Sequence, residues 1–100
     1  MMPQFVLRCR DRKDSLELRL ATRAAHLDYV AAAKVKVLLA GPTLDANGNP
    51  NGSLFILEAN DERDIREFAE NDPYEAAGLF ADAEIGPFKI VTGALTQSEI

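Results

Sequence analysis

The chain is poor in the residues that build metal centres and cross-links. It holds one cysteine, Cys9, and one histidine, His26. A lone cysteine excludes an intrachain disulfide and fits a reducing compartment, so the expected location is cytoplasmic. One Cys and one His cannot supply a zinc cluster of ordinary spacing, and no metal is expected. No apolar run approaches the ~20 residues of a membrane span. The apolar stretch near the N-terminus is also too short for a signal-peptide core. Positive charge is scarce as well: 11 Lys and Arg against 16 Asp and Glu leave a net charge of −5 and a pI near 4.7. That balance opposes nucleic acid and anionic lipid, which both require a cationic footprint. Neither a Gly-rich phosphate-cradling loop nor a Gly-x-Ser-x-Gly elbow occurs.

What remains is an ordinary globular balance, 47% hydrophobic and 27% charged, over 100 residues. A chain of this length buries roughly two-thirds of its unfolded surface, enough for one domain, assigned to residues 1–100. Phe5 to Arg10 alternates, with Phe5, Leu7 and Cys9 on one face of a strand. Asp14 and Glu17 resemble a capping box that opens a helix from about Ser15 to Ala33. On that helix Leu16, Leu20, Ala24, Leu27 and Ala31 form one stripe, expected to pack inward. Val35 to Ala40 reads as a second strand stopped by Gly41-Pro42. A long turn-rich loop over 43–52 follows, either a lid or a surface excursion. Leu54 to Leu57 is a third strand and Asp61 to Asn71 a second helix with Ile65 and Phe68 inward. Tyr74 to Phe80 is a short extra helix, Phe88 to Thr92 the last strand, and residues 96–100 a polar tail that frays.

The resulting order, βαββαβ, is ferredoxin-like: an α+β fold with a four-stranded antiparallel sheet and both helices on one face. Such a sheet normally wets its other face. Here Val37 to Ala40 and Leu54 to Leu57 are apolar without interruption, so both faces require cover. A second copy packed face to face, as in a dimeric α+β barrel, would supply it.

His26 is the one side chain that titrates near neutrality unaided. Arg19, Arg23 and His26 cluster on one flank of the first helix, either as the wall of an anion-friendly pocket or as a solvated edge. Asp72, in Asp72-Pro73-Tyr74-Glu75, has the form of an N-cap with Pro at the first helical position. A carboxylate there could equally hold a nearby imidazole in one tautomer. Asp45, Asn47 and Asn49 mimic the start of an EF-hand loop, but Pro50 and Ile56 stand where Gly and Glu are required. Cys9 shares the face of Phe5 and Leu7 and reads as core rather than nucleophile.

Several runs together resemble the YciI-like (YCII-related) family over about Phe5 to Val91: Asp14-Ser15-Leu16-Glu17, Arg19-Leu20, Arg23-Ala24-Ala25-His26-Leu27, Ala40-Gly41-Pro42, Gly52-Ser53, Asn71-Asp72-Pro73-Tyr74 and Pro87-Phe88-Lys89. The resemblance implies a ferredoxin-like dimer with a site centred on His26 and Asp72. Arg19 and Arg23 correspond to the family's helix arginines, and Tyr74, Gly41, Pro42 and Ser53 fall in its other motifs as substrate-side residues. Related members are linked to dehydrochlorination of chlorinated hydroxylated aromatics. Two functions are open. One is a cofactor-free enzyme performing elimination or isomerisation on a small hydroxylated or anionic ring, with His26 moving the proton and Asp72 orienting it. The other is a non-catalytic dimer that binds a small ligand or a protein partner.

Overall fold

The alternation at the N-terminus forms strand β1 (Gln4–Asp11), which runs down the middle of a four-stranded sheet of order β2-β3-β1-β4. The computed structural model describes residues 2–95; the tail at 96–100 lies outside them. Helix α1 (Leu16–Ala31) follows, then β2 (Lys36–Leu44), β3 (Pro50–Glu58), α2 (Glu62–Glu70), the one-turn α3 (Pro73–Ala76) and β4 (Phe80–Phe88). β1 pairs antiparallel with both β3 and β4, and β3 with β2. This is the ferredoxin-like order expected, with α3 added before the last strand.

Phe5, Leu7 and Cys9 stand opposite Leu57, Phe55 and Ser53, so all six share the helix-side face. Ile65, Phe68, Tyr74 and Leu79 close over them to form the core. Each fully buried Leu, Ile or Phe there contributes about 1.5–3 kcal/mol of transfer free energy. The opposite face carries Val6, Leu54, Ile56, Leu39 and Phe88, and its Arg10 reaches Asp82 and Glu84 of β4 at 3.5 and 3.8 Å. Leu39, Leu54 and Phe88 are exposed there in the isolated chain.

Several local expectations need correction. The stripe Leu16, Leu20, Ala24, Leu27 and Ala31 does not pack inward: Leu20 is 56% and Leu27 45% exposed. α1 instead buries Arg19 and His26, with its Tyr29 and Val30, and Ala33 just beyond its end, against the core. Burying charge is tolerable only where partners wait for it, and both polar side chains have them. The Asp14–Glu17 capping box does not form. Asp14 adopts a left-handed φ of 56°, and Ser15 caps α1 without a side-chain hydrogen bond to it. Gly41-Pro42 does not stop β2, because an edge strand can carry a proline whose missing N–H has no ladder partner.

The loop expected over 43–52 is a tight hairpin connection. Asp45 accepts the backbone N–H groups of Asn47 (2.8 Å) and Asn49 (3.0 Å), Gly48 takes φ 84°, and Leu44 already pairs with Pro50. The helix expected over 74–80 ends at Ala76, since Gly78 turns left-handed at φ 81°. The last strand is therefore Phe80–Phe88 rather than Phe88–Thr92. α2 matches expectation in that Ile65 and Phe68 face inward; Asp61, not singled out from the sequence as a cap, caps it by accepting from Arg63 N.

Candidate active site

Among the described residues, the polar or charged residues buried as a whole are Arg19, His26, Ser53 and Asp72, and all four belong to the set named from the sequence. His26 lies on the inner face of α1, and Asp72 is the N-cap of α3. The two meet at 2.8 Å between Nδ1 and Oδ1, with side chains 9% and 2% exposed. The same Oδ1 accepts the Tyr74 backbone N–H at 2.9 Å. Asp72 therefore does both things the sequence left open: it caps α3, and it holds the imidazole.

An ionised carboxylate only accepts hydrogen bonds, so Nδ1 is the nitrogen that carries the proton. In the neutral ring Nε2 then keeps its lone pair, and it takes no hydrogen bond among the described residues. The imidazole stacks on the Tyr74 ring, with centroids 4.1 Å apart and planes 17° from parallel, and meets the edge of Phe55 at 6.0 Å. Pro73 at the start of α3 fixes the backbone that brings Tyr74 into this position. The link into β4 is pinned to the end of β1, where Arg12 N donates to the Leu79 carbonyl (2.8 Å) and Arg12 Nε to that of Gly78 (3.0 Å).

Arg19 is engaged through Nε and Nη2, while its Nη1 makes no hydrogen bond among the described residues. Its Nε and Nη2 hold Asp11 at 2.7 and 3.1 Å, both side chains are 5% exposed, and Nη2 also donates to Ser53 Oγ at 2.8 Å. Its guanidinium carbon lies 4.6 Å from the centroid of the Tyr74 ring. Arg23 is exposed on the same helix and has no side-chain partner among the described residues. Burial, the largest effect, pushes the pKa of the Tyr74 phenol up, helped by Asp72 and Asp11 and opposed by the positive charges of Arg19 and Arg23. Pro42 stands opposite Ser53 across the sheet, whereas Gly41 stands opposite Leu54 on the other face, away from His26.

Asp11 is the residue that sequence reading missed. The signal was present: the spacing 5, 7, 9, 11 places it on the face of Phe5, Leu7 and Cys9, where a buried arginine requires an acid. Cys9 is core, as expected. Burial, then the negative charges of Asp72, Asp11 and Glu75, push its thiol up to about 12 against the opposing Arg19. Two open clefts mark the surface. One of about 520 Å³ is floored by Tyr29 and Phe68, and one of about 450 Å³ lies between Arg8, Arg12 and the β2–β3 turn. Neither is lined by His26 or Asp72, whose pair sits in the wall between helix and sheet. No group of three candidate metal ligands exists among the described residues, and no described helix is long and apolar enough to cross a membrane.

The fold places the chain in the ferredoxin-like α+β class, and here the first helix brings a histidine onto an aspartate of the segment before the last strand. A family model of the YCII-related domain matches residues 3–89, and the chain belongs to that family. It is 34% identical over 95 residues to protein YciI of Escherichia coli O6:H1, an alignment spanning 87% of this chain and 97% of the relative. Among solved structures it is similar to 5-chloro-2-hydroxyhydroquinone dehydrochlorinase of Burkholderia phenoliruptrix AC1100, in complex with 2,5-dihydroxybenzoquinone. That match has 37% identity and a TM-score of 0.80, covering 86% of this chain and 93% of that one. A dimeric protein of ferredoxin-like fold from Bacteroides fragilis, 17% identical with a TM-score of 0.55 over 89% of this chain and 96% of that one, shares the fold alone.

Proposed function

We propose that this chain is a lyase-type enzyme acting on a small hydroxylated or anionic ring, with His26 as its general base. The observation that carries the reading is the buried 2.8 Å contact between Nδ1 of His26 and Asp72. It leaves Nε2 as the basic nitrogen and places a carboxylate where it offsets the charge of the imidazolium that forms. In an elimination, Nε2 takes the proton, the electrons of the bond to the leaving group depart with that group as an anion, and the product gains a double bond. The imidazolium then returns its proton to solvent. The similarity to a dehydrochlorinase supports this reaction class.

Arg23 is the guanidinium available to an anionic oxygen of the substrate, because Arg19 is committed to Asp11 and Ser53. The chain acts as a homodimer in this reading, a second copy covering the outer sheet face, and the exposure of Leu39, Leu54 and Phe88 there supports it. The test is chloride release from 5-chloro-2-hydroxyhydroquinone and other halogenated hydroxylated aromatics, comparing the native chain with His26→Gln. Loss of release in the variant supports the reading, and equal release by the two proteins overturns it. One observation favours the alternative of a non-catalytic binding domain: neither open cleft is lined by His26. On that alternative a small ligand binds equally well to the native chain and to His26→Gln, and no product forms.

A further inference from the structure

Asp11 and Arg19 form a bidentate ion pair inside the protein, an arrangement whose desolvation cost is substantial and whose presence therefore asks for a reason. The pair does not touch His26. Arg19 does lie against the Tyr74 ring, and Tyr74 is the surface on which the imidazole stacks. The four side chains thus make one continuous contact chain from the end of β1 to the dyad: Asp11 to Arg19 at 2.7 Å, Arg19 to the Tyr74 ring at 4.6 Å, Tyr74 to His26 at 4.1 Å, and His26 to Asp72 at 2.8 Å.

The geometry closes on itself, because Tyr74 lies two residues beyond Asp72 and donates its N–H to the same Oδ1 that receives His26. A rotation of the Tyr74 ring would tilt the imidazole stacked on it and lengthen the Nδ1 to Oδ1 bond. Phe80 packs edge-on to Tyr74 at 5.8 Å, but it is apolar and offers no directional hold on the ring. A planar guanidinium held at two points is rigid, whereas an ammonium on a flexible stem is not.

We infer that Asp11 and Arg19 are positioning residues: their ion pair fixes the Tyr74 ring, which in turn fixes the plane of His26 so that Asp72 keeps the proton on Nδ1. Ser53 completes the hold by accepting the remaining Nη2 hydrogen bond. The inference rests on the acid–base reading for its purpose, but its test needs no substrate, so the two fail separately.

The experiment uses the single imidazole as reporter. Long-range proton–nitrogen NMR spectra of the intact chain give the tautomer, and the carbon-bound ring protons give the upfield displacement caused by stacking on Tyr74. Arg19→Lys keeps the charge and loses the two-point grip. We expect it to shrink that displacement and to raise the share of the Nε2–H tautomer, with Asp11→Asn doing the same. Tyr74→Phe, which keeps the ring, is expected to leave the tautomer as in the native chain. Where a variant is partly unfolded, the signals of the folded fraction are read in the same spectrum. Native-like ring-proton shifts and tautomer in folded Arg19→Lys and Asp11→Asn would overturn the inference, whatever the outcome of any turnover assay.

Discussion

Replacing Asp11 by Ala should be among the most damaging single changes to this fold. The perturbation leaves the Arg19 guanidinium in place, 5% exposed, with one neutral acceptor in Ser53 Oγ where there had also been a carboxylate at 2.7 and 3.1 Å. Removing one partner of a buried pair strands the other, which costs about 3–5 kcal/mol. A domain of this size has a total stability of roughly 5–15 kcal/mol. The variant should therefore lose a large share of its stability, with Tm falling on the order of 20 °C. The double change Asp11→Leu with Arg19→Met removes both charges and should recover most of that loss. Urea unfolding followed by far-UV circular dichroism measures the cycle, at one protein concentration so that association contributes alike to every variant. The reasoning is refuted if Asp11→Ala costs less than about 1 kcal/mol, the worth of an exposed pair.

Four further outcomes are expected. Asp72→Asn keeps an N-cap for α3 and should change stability little, yet lower turnover roughly 10²–10⁴-fold. Asp72→Ala should lower turnover and also cost about 1 kcal/mol in urea unfolding, and equal stability of the two variants would remove the cap from the account. Cys9, held up to about 12 in the fold against 9.0 ordinarily, stays a thiol in the folded chain while the unfolded chain ionises. Its contribution is intact below pH 9 and lost as pH rises toward 12, by up to about 4 kcal/mol. Urea midpoints at pH 8 and 10.5 should accordingly converge in Cys9→Ala relative to the native chain, and an undiminished alkaline loss in that variant would count against it. Leu39→Glu with Leu54→Glu should convert a dimer to a monomer in light scattering. A native chain that is already monomeric contradicts the covered sheet face.

The fold was legible because its signals are local and consistent. The alternation of β1, the inward Ile65 and Phe68 of α2 and the apolar strands all point one way, and the motif Asp72-Pro73-Tyr74 marks the second half of the site. The orientation of α1 was not legible. Its apolar stripe is the stronger periodic signal, but Arg19 and His26 have waiting partners in Asp11, Ser53 and Asp72, and partners from distant segments leave no trace in a helical wheel. β4 was misplaced for a related reason. Ala81, Asp82, Ala83 and Glu84 have weak strand propensity, and the strand forms through pairing with β1, where Arg10 reaches both acids. The loop over 43–52 reads longer than it is because Asp45 organises the turn through its own side chain, a compaction that turn composition alone does not display.

The central claim is that Asp72 holds the proton of His26 on Nδ1 and leaves Nε2 free to act as base. The most direct test is the long-range proton–nitrogen spectrum of the single imidazole at alkaline pH, in the native chain and in Asp72→Asn. The account predicts a native ring with Nδ1–H dominant and a clear rise of the Nε2–H form in the variant. A native imidazole dominated by Nε2–H, or one whose tautomer is unchanged by Asp72→Asn, would contradict it.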